Sequence, residues 1–407
     1  MSYDFNLLDL EVNIPSDDIK DYTIMVSGKP KIGKSSLVKK IKNSFTIDLD
    51  RGTKSLVMRR HQFNSWEEIL DVVKQLVQAK KYLKKAEDAK NNEEKEVEVK
   101  IGKKKIILPV DEAIKKLGIV KIVSLDTINQ AIQYVKEYLI NQENIKRLEK
   151  NKDPISTFNE VGWGRDESVQ REIMKVINDL RDSGYGVIYI SHIKDKKNNK
   201  GTEQEYIEIV PDLQDVERNW IIGAADIYLQ IDEESITVKK AKFDGEKLIE
   251  PAEIKKQRYI YLRGNEKREA GLRFKYVPEK IEFDEEDGFN YLEEVFKEAV
   301  HKEIEESMND FDLDEEKVTR LKLQQKETKE TKEKEIINEH EQKEEIQKIE
   351  NILETIKDIS FELKRKGVKP SVINNSWTSV GHKDPTKVKD IETAQKILDN
   401  LNNIKTE

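Results

Sequence analysis

A chain of 407 residues has the length of two or three domains, and its 73 Lys and Arg set against 81 Asp and Glu leave a net charge of −8. Charged residues make up 38% and apolar residues 36%, so much of the sequence belongs to solvated helices, linkers or tails. The complete lack of cysteine excludes disulfide frameworks, thiolate zinc sites and cysteine nucleophiles, and the acidic balance excludes a uniformly basic nucleic-acid coat. The acidic start without a basic, apolar leader and the lack of an 18-residue apolar run predict a cytoplasmic protein with no membrane partner.

In chain order, residues 22–26 (YTIMV) form the first predicted strand, followed by a Gly/Lys/Pro stretch and a helix with Leu37, Val38 and Ile41 on its buried face. A second strand at 44–49 ends in acids. The next helix starts near Ser65, where Ser65 and Glu68 have capping-box spacing, and buries Trp66, Ile69, Leu70, Val73 and Leu76. Residues 80–105 change to Lys, Glu and Asn and read as a charged insertion, with a hairpin around Gly102. Residues 118–125 and 186–191 are apolar runs of the kind buried in parallel sheets. Between them lie two helical periods, one through Ile128, Ile132 and Val135, the other through Val169, Ile173, Val176 and Leu180. Shorter β-rich pieces at 226–231, 235–239 and 258–262 predict an antiparallel extension of the sheet. The predicted organisation is a core over 1–300, a charged helical linker over 301–345, and a small helical module over 346–407.

The strongest motif is Gly28-Lys29-Pro30-Lys31-Ile32-Gly33-Lys34-Ser35, which fits GxxxxGK[ST] and lies between a predicted strand and helix. Glycines let successive backbone N–H groups turn inward onto phosphate oxygens, and the helix start adds partial positive charge. Lys34 is expected at the β- and γ-phosphates of ATP, Ser35 on Mg²⁺, and Ser36 beside them in the helix start. Asp126 ends an apolar strand, where it is either the magnesium-associated carboxylate or a helix cap. Asp48 and Asp50 end the strand after the phosphate-loop helix; Asp50 is the candidate that orients the attacking water, with turn chemistry at Asp50-Arg51-Gly52 as the plain alternative. His192 ends the strand 186–191 and is expected at the crevice rim as a sensor of the γ-phosphate, or else as a structural histidine.

Together these residues resemble phage RecA-core ATPases of the AAA-like group that act in single-strand annealing and recombination. The resemblance spans about 20–280 and rests on GKPKIGKSS, IDLDRGT, IVSLDTI, the segment from Gly162-Trp163-Gly164 through Ser191-His192, and GLRFKYVP. It implies an α/β fold with a RecA-like P-loop NTPase core, a mostly parallel sheet and an antiparallel extension. In such cores the strand after the phosphate-loop helix ends in a catalytic Glu; Asp50 holds that position here with one methylene fewer. Arg273 falls where the family carries a late cation, implying contact with a neighbouring subunit's nucleotide. Trp163 reads as a buried turn anchor or as an interface or DNA-stacking residue.

The implied activity is DNA-stimulated ATP hydrolysis by a homo-oligomer on single-stranded DNA, in recombination, annealing or replication. A single-strand-binding or replication protein is the implied further partner. Lys364, Arg365, Lys366 and Lys369 offer phosphate contacts or simply a solvated face. Two other functions compete with this one: a nucleotide-gated interaction protein with little hydrolysis, favoured by the short Asp50, and a replicative helicase or loader.

Overall fold

The computed structural model describes residues 12–199, 205–239, 242–244, 247–250, 253–284, 286, 288–308, 310–311, 313–381, 388 and 390–404. In chain order the elements are β1 (Thr23–Gly28), α1 (Lys34–Lys39), β2 (Ser44–Asp48), β3 (Arg60–Gln62), α2 (Trp66–Asn91), β4 (Glu96–Ile101), β5 (Lys104–Pro109) and α3 (Val110–Leu117). Then come β6 (Ile122–Asp126), α4 (Ile128–Glu149), α5 (Arg165–Asp182), β7 (Gly186–Ser191), β8 (Ile193–Asn198), β9 (Tyr206–Pro211) and α6 (Asp215–Ala224). The chain continues through β10 (Ile227–Lys239), β11 (Lys242–Asp244), β12 (Lys247–Glu250), β13 (Glu253–Tyr261), β14 (Gly271–Leu272) and β15 (Lys280–Glu282). It closes with α7 (Gly288–Met308), α8 (Glu315–Arg365), α9 (Pro370–Thr378) and α10 (Ile391–Asn402).

The main sheet has the order β15-β13-β10-β1-β7-β6-β2-β3, with β14 beside β10. All neighbours from β10 to β3 are parallel, and β13 and β15 extend the sheet antiparallel. This is the α/β P-loop core that the sequence predicted. One detail differs. Residues 227–231 run parallel to β1, and 235–239 continue the same strand, so the antiparallel extension starts only at β13.

Alternation assigns each strand residue to one of two cores. Ile24, Val26, Ile188 and Ile190 face the layer built with α1 and α7, while Met25, Val187, Tyr189, Val123 and Leu125 face the layer of α2, α4, α5 and α6. Covering both faces is what makes β1, β6 and β7 continuous apolar runs. The 80–105 segment is an outgrowth of α2: helix, hairpin and α3 pack around Ala86, Val99, Ala113 and Leu117.

The chain divides into two compact units, Met1–Glu327 and Thr328–Glu407. The second unit has its own cluster of Ile356, Leu363, Ile373, Ala394, Ile397 and Leu401. The first reaches beyond the boundary expected at 300, because Leu313, Val318 and Leu321 join the α1/α7 core and Lys322 pairs with Asp17. A chain ending at Glu327 is therefore expected to fold and melt cooperatively. One ending at residue 310 loses three buried side chains worth about 1.5–3 kcal/mol each. Equal melting temperatures of the two truncations, followed by circular dichroism, would refute this boundary.

Candidate functional site

The carboxyl ends of the parallel strands meet at one crevice, and their register brings the predicted residues there. Ser27 of β1 lies opposite Ser191 of β7, Ile190 opposite Asp126 of β6, and Asp126 opposite Asp48 of β2. β1 runs directly into the phosphate loop. The loop needs its glycines at two places. A Cβ on Gly28 would fall 2.8 Å from the carbonyl oxygen of Ile231 and from Ile32 Cγ2. At Gly33 φ is +114°, and a Cβ would lie 2.5 Å from the Phe283 ring. Pro30 and Lys31 form the exposed outer bend, Lys31 with φ 64°, and Ile32 is plugged into the core. Ser36 follows in the first turn of α1.

Lys34 is almost fully buried, and its ammonium donates to the carbonyls of Gly28 (2.7 Å) and Lys29 (2.8 Å). It also lies 3.4 Å from His192 Nδ1. Burial lowers its pKa to about 8, against the opposing pull of the Asp126 and Asp50 charges. Ser35 Oγ donates to Asp126 Oδ2 at 2.5 Å. Helix capping falls to the neighbour of Asp126: the Thr127 side chain accepts from Gln130 N, leaving the Asp126 carboxylate to the crevice. Burial raises the Asp126 carboxyl to about 6; the Ser35 hydrogen bond works against this and the Asp50 charge adds to it.

The two acids at the end of β2 and just beyond it separate cleanly. Asp48 is fully buried, its Oδ2 held by Thr53 Oγ1 (2.5 Å) and Arg60 (3.1 Å). Asp50 is exposed to the crevice and accepts from His192 Nε2 at 3.1 Å. Its position is fixed by extension of the β2–β6 pairing, since Leu49 N and Asp50 N both donate to Asp126 O. With the Lys34 ammonium donating to Nδ1, His192 carries its proton on Nε2 and gives it to Asp50. The chain Asp50–His192–Lys34 thus spans the crevice.

Two further residues that the sequence singled out lie outside the cluster of Lys34, Ser35, Asp126, Asp50 and His192. Arg273 follows β14, whose Leu272 pairs with Ile227 at the entry of β10, so Arg273 lies exposed at the opposite end of the sheet from the phosphate loop. Trp163 is no turn anchor: it is fully exposed between Gly162 (φ 106°) and Gly164 (φ 76°). It precedes α5, and the short connection from α5 to β7 makes that helix run back along the strand. Trp163 therefore sits at the crevice end of the sheet.

Sequence reasoning missed three residues. Asn129 Oδ1 accepts from His192 N and Ser191 Oγ, both at 3.1 Å, and so fixes the turn that aims the histidine. Asp232 and Arg268 stand beside the phosphate loop, with Arg268 donating to Asp232 at 3.0 Å. Asp232 follows the apolar run 227–231 within β10, and an acid after such a run was a legible signal; nothing local distinguishes Arg268 or Asn129.

Among the described residues no group of three or more His, Asp or Glu is placed to hold a metal unaided. Ser35 and Asp126 supply two adjacent oxygens, which suits a magnesium ion that keeps its waters and takes its other ligands from phosphate. These two shifts set a pH window. Below about 6 Asp126 is protonated, so metal binding must expel a proton; above about 8 Lys34 is neutral, so phosphate binding must take one up. Affinity for Mg·ATP is expected to peak between these values and to fall about tenfold per pH unit well outside them. A titration-calorimetry profile flat from pH 5 to 9 would contradict both assignments.

Among the described residues no helix is long and apolar enough to cross a membrane. A family model described as AAA domain matches residues 20–274, more than half of the chain. Among curated proteins, none matches the chain.

Proposed function

The chain belongs to the AAA domain family, and from that premise we propose that its crevice binds Mg·ATP and hydrolyses it to drive work on single-stranded DNA. The observation that carries the nucleotide reading is the buried Lys34 beside the Ser35–Asp126 pair at the end of a glycine-built loop. Lys34 balances the charge on the β- and γ-phosphates, and the loop's N–H groups hold their oxygens. Magnesium, when bound with the nucleotide on Ser35 and Asp126, supplies further charge neutralisation at the phosphates. In this reading Asp50 and His192 together orient the attacking water. Their hydrogen bond lets a short aspartate act through an imidazole, which extends its reach across the crevice.

The DNA reading is supported by what surrounds the crevice. Trp163 offers an unburied ring on two glycine pivots, and Tyr206 stands exposed on the β8–β9 hairpin that follows His192. Exposed aromatic rings stack on bases whatever their sequence, which favours single strands over duplex. The oligomer reading rests on the resemblance, in which a late cation such as Arg273, here remote from its own phosphate loop, contacts the nucleotide of a neighbouring copy. Exposed Lys364, Arg365, Lys366 and Lys369 in the second unit provide a local basic surface for DNA or for an acidic replication partner. These features suit a recombination, annealing or replication role of the phage type.

The deciding measurement is phosphate release by the purified chain alone, with single-stranded DNA and with duplex. Turnover raised by single strands is the expected result. Turnover indifferent to DNA removes the DNA reading, and nucleotide binding without any release leaves a nucleotide-gated interaction protein.

A further inference from the structure

One of the three lysines of the phosphate loop has an unusual partner. Lys29 follows Gly28 directly, its side chain half exposed (51%), and its ammonium lies 3.3 Å from Oδ1 of Asp232, whose side chain is only 2% exposed. The sheet register sets this up, because Ile231 of β10 lies opposite Gly28 and Asp232 is the next residue. The other oxygen, Oδ2, accepts from Arg268 through Nη2 (3.0 Å) and Nε (3.3 Å). The Arg268 side chain is 13% exposed, and its guanidinium lies 4.5 Å over the Tyr261 ring.

The two cations hold Asp232 unequally. Arg268 makes two hydrogen bonds to it, whereas Oδ1 accepts no hydrogen bond among the described residues, so the Lys29 contact is an ion pair alone. A buried carboxylate must keep one well-placed cation to remain ionised without a large penalty. Arg268 meets that need, which leaves Lys29 exchangeable. Arg268 also reaches the β8–β9 hairpin. Its neighbour Lys267 accepts from Ile209 N through its carbonyl at 2.7 Å, and Ile209 bridges to Arg268 itself. Lys29, Tyr206, Ile209 and Lys267 wall a cleft of about 760 Å³ between the loop and the hairpin.

We propose that Asp232 is a positioning residue that holds Lys29 aside until nucleotide phosphate draws it off, and that Arg268 passes this exchange to the β8–β9 hairpin. The proposal rests on the nucleotide reading above. When Lys29 turns to phosphate, Oδ1 opens to the Arg268 fork. Movement of Arg268 shifts the 265–268 turn and, with it, Ile209 of β9.

The test compares Mg·ATPγS affinity by titration calorimetry for the full chain and its variants. In Arg268→Gln, Lys29 becomes the only cation on a buried carboxylate, and giving it up to phosphate costs more. Affinity should fall roughly tenfold. In Asp232→Asn the competitor for Lys29 is gone, and affinity should rise by about threefold. The double variant should recover the loss of Arg268→Gln, and Arg268→Lys should lie between wild type and Arg268→Gln. A purely structural role for the pair would weaken binding in every variant, so unchanged or weaker binding by Asp232→Asn overturns the proposal. An unrecovered double variant does the same.

Hydrogen exchange at the Ile209 amide keeps the question open to an answer if Arg268→Gln does not fold. Nucleotide should change that exchange severalfold in wild type and not in Asp232→Asn. An unchanged wild-type amide, or the same change in both proteins, overturns the link to the hairpin. Absence of any nucleotide binding by wild type would instead remove the nucleotide reading itself, and this proposal with it.

Discussion

Replacement of Lys34 by alanine is expected to abolish productive nucleotide binding while leaving a folded protein. The ammonium is a burden on the fold: burial lowers its pKa to about 8, and its hydrogen bonds go to the loop's own Gly28 and Lys29 carbonyls. Removing it therefore costs the free protein little. On the proposed reading the same ammonium meets the β- and γ-phosphates in the bound state, and removing one partner of such a charge pair weakens binding about a hundredfold or more. Calorimetry and a thermal melt on the same preparation decide the matter. A folded Lys34→Ala chain with wild-type Mg·ATP affinity would refute the phosphate-loop assignment.

The second large effect concerns Asp50 and His192. If the two act as one unit on the attacking water, Asp50→Asn and His192→Ala should each lower turnover by about 10²–10⁴ and leave ATP affinity nearly unchanged. The double variant should then lose no more than either single one, because each change already breaks the unit. Additive losses would mean that the 3.1 Å hydrogen bond between them has no part in turnover. Asp50→Glu keeps the charge and should retain most of the rate. Asp48→Asn is the control. Its carboxylate is spent on Thr53 and Arg60, so the variant should lose about 1–3 kcal/mol of stability and keep its turnover per folded molecule. A stable but inactive Asp48→Asn chain would reverse the two roles.

The parts of the site that were legible in the sequence share one property: their chemistry is local. GxxxxGK[ST] works through backbone N–H groups and a helix start within eight consecutive residues. Continuous apolar runs at 118–125 and 186–191 are dictated by burial on both faces, and the residue that ends such a run must reach the crevice rim. That logic located Asp126, Asp50 and His192. Alternation alone would put Asp48 and Asp50, two positions apart, on one face; their opposite environments arise because β2 ends at Asp48 and Asp50 lies in the turn beyond it.

What the sequence left undecided depends on which strands become neighbours. Trp163 and a buried tryptophan are indistinguishable until α5 is laid against β7 and the Gly-Trp-Gly turn is left with nothing to pack on. Arg273 and Arg268 lie five positions apart in a segment of mixed composition; only the antiparallel pairing of β14 with β10 sends the first to the far end of the sheet, while a tight turn returns the second to the phosphate loop. The hairpin of β8 and β9 carries charge on both strands and so lacks the apolar alternation that announces a strand. Local sequence thus determined the phosphate loop, the parallel core and the acids at its strand ends, because steric and burial constraints there act within a few residues. Tertiary structure alone decided which cation meets which carboxylate, because a salt bridge between residues far apart in the chain leaves no periodic mark on either segment.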